Sequence, residues 1–155
     1  MRSVVFVAAA AAFIGCSAPQ APPAPDWSTK IQEANEQLLN QGNIAVAPEM
    51  FASNYVVHQT SGDVAGGPEL IGDFVSQLRT AFPDLHVDVQ ILATEGNRVA
   101  WLRTHRGTHQ ADFMGVPASG RVVEWQDMVV TRYDEDGLIA EEWGVSDLGE
   151  RLRMP

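Results

Sequence analysis

Apolar residues in the first half of the chain recur every three to four positions, which is the period of an α-helix. The segment 28–42 predicts an amphipathic helix that ends at Gly42, a residue suited to a helix C-cap. Its apolar stripe consists of Ile31, Ala34, Leu38 and Leu39. Two further helices are predicted in "APEMFASNY", with Pro48 in the first turn, and in "GGPELIGDFVSQLRTAF", which Pro68 starts.

After "PDLH" the apolar period changes from 3.6 to 2, which is the period of a half-buried β-strand. Strands are predicted over residues 85–91, 98–109, 121–133 and 138–147, with turns at "TEGN" and "DEDG". Helices followed by a meander of strands indicate an α+β fold with an antiparallel sheet. The helices are expected to cover one face of that sheet.

The turn "DEDG" predicts the register of the last two strands. If Gly137 takes the left-handed position of a three-residue loop, Asp134 pairs with Leu138 and odd-numbered residues meet odd-numbered residues. The odd-numbered face is the more aromatic one, and it is expected to be the concave, helix-covered side. It carries Val123, Trp125, Asp127, Val129, Tyr133, Ile139, Glu141, Trp143, Val145 and Asp147. The same reasoning at "TEGN" adds Trp101, Arg103 and His105.

Charges on a face that also carries three tryptophans predict a pocket. Buried, unpaired charges cost several kcal/mol each, so these side chains either pair with one another or surround a ligand-sized cavity. A structural pair of Arg103 with an aspartate is the simpler alternative. In a cavity, apolar walls would raise the pKa of Asp147, which makes it the first candidate for a catalytic acid/base, with Asp127 assisting. Substrate contacts are expected from Trp101, Trp125, Trp143, Arg103 and Glu141.

The composition restricts the class of partner. The chain has 155 residues, of which 45% are hydrophobic, enough for one globular domain with a buried core. Its formal net charge is −10 at pH 7. A nucleic-acid-binding surface needs clustered Lys and Arg, so nucleic acid is not an expected partner.

The first fifteen residues, "MRSVVFVAAAAAFIG", predict a signal peptide, because one positive charge at Arg2 precedes a short apolar run. The cysteine Cys16 follows at once in "FIGCSAPQ", which resembles the lipidation signal of bacterial lipoproteins. An ordinary signal peptide with an incidental Cys16 is the alternative. Residues 16–26, rich in Pro and Ala, are predicted to be an extended tether before a domain over residues 27–155.

These features together predict an exported protein of the bacterial cell envelope. A lipid on Cys16 would anchor it to a membrane, with the domain on the periplasmic or outer surface. No other contact with a membrane is expected.

A metal site is not expected at the two histidines His105 and His109. Residues four apart on a strand share a face but lie roughly 13 Å apart, which is too far to share one ion. The sequence also shows no Gly-rich phosphate loop, cysteine pair or nucleophile elbow.

Four segments, "AFPDLHVDV", "EGNRVAW", "RGTHQADFMGVPASGRVV" and "DGLIAEEWGVSD", occur in an order and spacing that point to one family. They resemble the SnoaL-like polyketide cyclase (ester cyclase) group of the nuclear-transport-factor-2-like superfamily. The similarity covers residues 30–150. It implies an α+β cone, in which a strongly curved antiparallel sheet encloses a pocket and helices pack over its mouth.

The resemblance also implies a chemistry without metal or cofactor. In the ring-closing members, a pocket acid/base removes a proton next to a carbonyl, and the enolate attacks a second carbonyl in an aldol reaction. Matched by motif, the aspartate after the tryptophan is Asp147. His58, in "YVVHQ", resembles a histidine at the family's pocket mouth that orients or polarises a carbonyl. A satisfied surface or core histidine is equally compatible with that position.

Three functional hypotheses follow. The first is a cofactor-independent cyclase or isomerase for a small apolar or aromatic carbonyl compound, with Asp147 as base and His58 or Asp127 assisting. The second is an epoxide-hydrolase-like site in which Asp147 and Asp127 flank Arg103. The third is a non-catalytic envelope lipoprotein that binds a small ligand. On the opposite sheet face, apolar residues would allow a homodimer; they are Val122, Met128 and Val130.

Overall fold

The computed structural model of the chain describes residues 25–154. The predicted signal peptide, Cys16 and most of the predicted tether lie outside these residues. The helices are α1 (Trp27–Asn35), α2 (Ala47–Met50), α3 (Pro68–Ala81) and α4 (Leu148–Arg153). A π-helical turn, Glu36–Asn40, continues α1, and a 3₁₀ turn, Ile44–Val46, precedes α2. The strands are β1 (Phe51–Gln59), β2 (Gly62–Ala65), β3 (His86–Glu95), β4 (Arg98–Thr108), β5 (Val122–Tyr133) and β6 (Ile139–Ser146).

The six strands form one curved, unclosed sheet in the order β2-β1-β6-β5-β4-β3. Neighbouring strands are antiparallel except β1 and β6, which run parallel, so the sheet is mixed and not purely antiparallel. The predicted α+β class, with helices before most of the sheet, is confirmed. Within the described part of the chain, none of the helices has the length and apolar character needed to cross a bilayer.

Strand β1 replaces the second half of a predicted helix. The helical prediction for "APEMFASNY" is correct only for Ala47–Met50, and the chain then continues as β1. Aromatic and β-branched residues, Tyr55, Val56 and Val57, favour an extended backbone there. Since β1 lies beside β6, His58 belongs to an inner strand of the sheet and not to the helical half.

The core lies between one sheet face and the helices α1 and α3. The N-cap of α1 is Asp26, whose carboxylate accepts the backbone N–H of Thr29 at 3.2 Å, so the helix starts at Trp27. Burial of each large apolar side chain in this layer contributes about 1.5–3 kcal/mol to stability. The core includes Ile31, Leu38, Leu39, Val75, Leu78, Phe82, Trp101, Trp125 and Val129.

A β-bulge in the β5–β6 pair changes which residues of β6 face the helices. The hairpin itself closes as predicted, with Gly137 at φ 78° and the backbone N–H of Asp134 bonded to the carbonyl of Leu138 at 2.9 Å. Tyr133 pairs with Ile139, but the next pair is Arg132 with Glu141. Ala140 is therefore the extra residue of a bulge.

The predicted faces are wrong for β6 beyond this bulge and correct for β4 and β5. Glu141 pairs with Arg132 and Trp143 pairs with Val130, which places both on the outer face of the sheet. Glu142 turns to the inner face instead. On the other two strands the predicted inner faces are correct, and the structure adds their register, in which Arg103 pairs with Asp127 and Trp101 with Val129.

Replacing Trp143 by Phe tests this arrangement. Trp143 is 37% exposed, whereas Trp101 and Trp125 are 1% and 2% exposed. Acrylamide should therefore quench the tryptophan fluorescence of W143F less than that of the wild type, with Trp27 supplying the remaining accessible emission. W125F, the matched control, should not lower the quenching. Equal quenching of W143F and wild type would place Trp143 inside and contradict the bulge.

Candidate functional site

A cavity of about 540 Å³ lies between the inner sheet face and the helices α1 and α3. This volume lies within the range of small-molecule pockets. Its walls are mainly apolar and include Ile31, Leu38, Phe51, Leu78, Trp101 and Trp125. Exposed lining residues mark its opening, and they include Phe74, which is 45% exposed and not a core residue. Four polar residues of the lining are exposed: Gln59, Thr60, Ser61 and Ser146. The less exposed polar side chains of the lining form two groups.

The first polar group is the ion pair of Arg103 and Asp127. These residues face each other on β4 and β5. The guanidinium donates from Nε at 3.1 Å and from Nη2 at 2.8 Å, both to Oδ2 of Asp127. The other carboxylate oxygen, Oδ1, is buried and has no hydrogen-bond partner in the described part of the chain. One oxygen of the Asp127 carboxylate is thus fixed by Arg103, and the other is buried without a partner.

Two further contacts hold the Arg103 side chain. Its Nη1 donates to Oδ1 of Asn35 at 3.4 Å, and Asn35 itself donates from Nδ2 to the carbonyl of Ile31 at 2.8 Å. The guanidinium also lies over the ring of Trp101, 5.1 Å from its centroid. Among the residues that line the cavity, Arg103 is the only Lys or Arg.

His105 lies next to this pair as a neutral imidazole. Its ring is stacked on Trp125, with centroids 4.5 Å apart. Burial and the neighbouring Arg103 lower the pKa of His105 to about 3. Its Nε2 is 3.7 Å from Oδ2 of Asp127, which is too long for a hydrogen bond. At neutral pH the residue therefore adds no charge to the cavity.

The second polar group surrounds Glu142. The Tyr55 hydroxyl donates to Oε2 of Glu142 at 2.8 Å, and the Thr131 hydroxyl donates to Oε1 at 2.8 Å. Trp101 fixes Thr131, because its indole N–H donates to the Thr131 oxygen at 3.0 Å. Burial and the nearby Glu142 raise the pKa of Tyr55, so its hydroxyl stays protonated and available as a donor.

Three residues expected in the pocket lie on the outer sheet face instead. The His58 ring is stacked on Trp143, with centroids 4.8 Å apart. Its Nδ1 is 2.9 Å from Oδ1 of Asp63, and its Nε2 is 4.0 Å from Oε1 of Glu141. Glu141 also accepts a hydrogen bond from Nε of Arg132 at 2.6 Å. His58, Glu141 and Trp143 do not line the cavity.

Asp147 also lies outside the cavity lining, just before α4. Its Oδ1 accepts the backbone N–H of Gln126 at 2.7 Å, and its Oδ2 accepts Nε of Arg151 at 2.8 Å. Burial alone would raise the pKa of Asp147, but the Gln126 amide and the Arg151 guanidinium hold it below its ordinary value of 3.8. The expectation of a raised pKa is therefore wrong, and the salt-bridge partner is Arg151.

The cavity thus brings together four of the predicted site residues, Asp127, Arg103, Trp101 and Trp125. It also contains polar residues that the sequence did not single out. Asn35 is a polar residue within the apolar stripe of α1, so its position in the sequence could have indicated a residue of the site. Tyr55 and Glu142 were hidden by the missed strand β1 and the missed bulge.

Comparison with known proteins gives the family of this sequence. The profile of the SnoaL-like polyketide cyclase family matches residues 29–153. No curated protein matches the chain. Among solved structures, IdmH from Streptomyces antibioticus, provisionally described as a polyketide cyclase, is 31% identical with a TM-score of 0.67, covering 83% of this chain and 96% of its own.

Two more solved structures are similar in fold. AclR from Streptomyces galilaeus, provisionally described as a hydroxylase, is 26% identical with a TM-score of 0.70, covering 84% of this chain and 98% of its own. TsrD from Streptomyces laurentii is 20% identical with a TM-score of 0.73, covering 85% and 98%. The identity to TsrD is low enough that it shows the fold alone.

Replacing Asp147 by Asn should destabilise the domain in a pH-dependent way. The loss of its charge weakens the bonds to Gln126 and Arg151, which lowers the free energy of unfolding by about 1 kcal/mol at pH 7. Because the pKa of Asp147 is lowered by folding, this contribution is present above pH 3.8 and is lost as the pH falls through the folded-state pKa. Thermal unfolding of D147N and wild type at pH 7 and pH 3 measures it.

Asp73 supplies the control for this prediction. It is exposed on α3 and has no hydrogen bond or ion pair within residues 25–154. D73N should therefore unfold like the wild type at both pH values. A D147N protein as stable as the wild type at pH 7 would contradict the structural role of Asp147.

Proposed function

Because the chain belongs to the SnoaL-like polyketide cyclase family, we propose that its cavity catalyses cyclase- or isomerase-type acid/base chemistry. The substrate is a small apolar or aromatic carbonyl compound, and no cofactor takes part. The observation that carries the proposal is the buried Oδ1 of Asp127, which has no partner within residues 25–154 although Arg103 fixes the rest of the carboxylate.

Asp127 is the base in this proposal. Buried oxygens without a hydrogen-bond partner are rare, and they are frequent at catalytic positions. A C–H bond next to the substrate carbonyl breaks, Oδ1 of Asp127 takes the proton, and the electron pair moves onto the carbonyl oxygen. The product of this step is an enolate beside a neutral Asp127.

Arg103 stabilises the enolate oxygen. A guanidinium has five N–H donors. Arg103 uses three of them, two on Asp127 and one on Asn35, which leaves two for a ligand. Donors that are already oriented before the reaction stabilise developing negative charge without reorganisation. Because His105 is neutral, it can hydrogen-bond a second carbonyl, while Arg103 stabilises the negative charge of the enolate.

The enolate can react in two ways, and in each of them Asp127 returns the proton that it took from the substrate. In a cyclase, the enolate carbon attacks a second carbonyl of the same molecule, and Asp127 returns its proton to the new alkoxide. In an isomerase, Asp127 returns the proton to a different atom of the substrate. The faces of Trp101 and Trp125 hold a planar substrate by stacking.

The epoxide-hydrolase hypothesis has no support from this geometry. Asp147 pairs with Arg151 and not with Arg103. The carboxylates that line the cavity are Asp127 and Glu142. Glu142 pairs with Thr131, four residues from Asp127 on β5, so the two positions lie about 13 Å apart along the strand. They cannot act together on one oxirane.

Substituting Asp127 by Asn tests the proposed base. Exchange of the acidic C–H protons of a panel of aromatic ketones and diketones with D₂O, followed by NMR, reports on enolate formation directly. D127N should slow the enzyme-dependent exchange at least about 100-fold, because the amide cannot take the proton. D147N is the matched control and should keep most of the wild-type rate at a temperature where it is folded.

The outcomes distinguish the hypotheses. Equal loss in D127N and D147N, or full activity in D127N, would contradict Asp127 as the base. Wild-type protein that binds the ketones but exchanges no proton would favour the non-catalytic ligand-binding hypothesis.

The cellular location and the oligomeric state are proposals that rest on sequence. We propose that the protein is exported and that a lipid on Cys16 anchors it to a membrane of the bacterial envelope. A homodimer through the outer sheet face is also proposed, since Val122 and Met128 are exposed there at 52% and 53%.

Replacing Cys16 by Ser tests the anchor. In a bacterial host that lipidates exported proteins, the wild type should sediment with the membrane fraction, and C16S should move to the soluble fraction. Mass spectrometry of the mature N-terminus should show a lipid mass on the wild type alone. An unlipidated wild type would support an ordinary signal peptide instead.

A further inference from the structure

We infer that Glu142 and Tyr55 form a second binding site in the cavity, which takes a protonated amine at the end of the ligand opposite the reacting carbonyl. The inference rests on the proposed function only in taking the cavity as the ligand site. It specifies the class of substrate, an aromatic ketone that carries an aminoalkyl group.

Charge is the first argument. Of the two carboxylates that line the cavity, Asp127 is paired with Arg103, while Glu142 has no cationic partner within residues 25–154. Its partners are the hydroxyls of Tyr55 and Thr131. His105 is neutral because burial lowers its pKa to about 3. The described lining therefore has two carboxylate side chains and one guanidinium.

Hydrogen-bonding capacity is the second argument. A carboxylate offers about four acceptor positions, and Tyr55 and Thr131 occupy two of those on Glu142. Both donor residues are buried, at 1% and 0% exposure, so this arrangement is built into the core. Glu142 itself is partly buried and has no ion pair within residues 25–154, so its remaining acceptor positions are open to a charged donor. An ammonium group supplies both the charge and the missing donors, whereas a hydroxyl supplies a donor alone.

The aromatic surroundings fit the same ligand. Trp101 and Tyr55 line the cavity beside Glu142, and Phe51 packs edge-on against Tyr55 with centroids 5.0 Å apart. Aromatic faces attract an ammonium group through their quadrupole, and the attraction grows when water is excluded. An anionic ligand would meet repulsion at this end of the cavity.

The spacing gives the length of the ligand. Glu142 pairs with Thr131, and Asp127 lies four residues before Thr131 on β5. The two acidic positions are therefore about 13 Å apart along the strand. A skeleton of two fused rings, with a ketone at one end and an aminomethyl group at the other, spans this distance.

Calorimetric titration of the full chain with matched ligands tests the inference. The ligands are 6-(aminomethyl)-2-acetonaphthone, its uncharged hydroxymethyl analogue and its apolar ethyl analogue. The wild type should bind the amine at least about tenfold more tightly than the ethyl analogue, with the hydroxymethyl compound between them. This order is measured on wild-type protein and does not depend on how any variant folds.

Two neighbouring glutamates supply the variant and its control. E142Q should reduce the preference for the amine to within about twofold, because the charge is lost. E141Q changes the same residue type one position away, on the outer face, and should keep the full preference.

Each contrary result is informative. Equal binding of the amine and the ethyl analogue, a preference that survives E142Q, or no binding of any of the three ligands would overturn the inference. Loss of proton exchange in D127N, together with an amine preference that E142Q removes and E141Q keeps, would support both proposals separately. A retained amine preference without any exchange in the wild type would contradict the catalytic proposal alone.

Discussion

Ala140 has no residue opposite it in the β5–β6 ladder, and the composition of the cavity depends on this one extra residue. Because side chains alternate across a strand, an inserted residue exchanges the two faces of everything that follows. Glu142 consequently meets the hydroxyls of Tyr55 and Thr131 inside. Glu141 and Trp143 go to the outer face, where β1 places His58 beside them. Without the bulge, Glu141 would lie opposite Thr131, and Trp143 would lie on the inner face opposite Val129, where Gly144 now lies.

The second constraint is the desolvation of the Arg103–Asp127 pair among Trp101, Trp125 and the helices. Such a pair gains little net stability over apolar residues of the same volume, because removing two charges from water costs about as much as their attraction returns. Its geometry is also one-sided, since both donors of Arg103 bond to the same oxygen of Asp127. In the mechanism that we propose, the unpartnered oxygen is the one that takes the proton.

The sequence predicted the fold class and most of the inner face, because both follow from local periodicity. The two-residue period of β4 and β5 correctly placed Arg103, Trp101 and Asp127 on the inner face, while the pairing of Arg103 with Asp127 comes from the structure. It could not predict the bulge, since Ala140 is as compatible with a regular strand as with an irregular one. The parallel pairing of β1 with β6 is also non-local, and only tertiary contact shows that "YVVHQ" is a strand inside the sheet. The location of Glu142 and the outward position of Asp147 both follow from these non-local events.

The adjacent residues Glu141 and Glu142 have different surroundings, and we infer different roles for them from this difference. Glu141 is compensated by Arg132 at 2.6 Å and lies close to His58, so the Arg132 guanidinium keeps the pKa of its carboxyl low and its charge is satisfied by the protein itself. Glu142 receives hydrogen bonds from two buried hydroxyls, which orient it without neutralising it. Glu141, Asp127 and Asp147 each have an arginine partner, whereas Glu142 has none within residues 25–154. Because Glu142 lines the cavity, a cationic group of the ligand is the partner that charge complementarity favours in our inference.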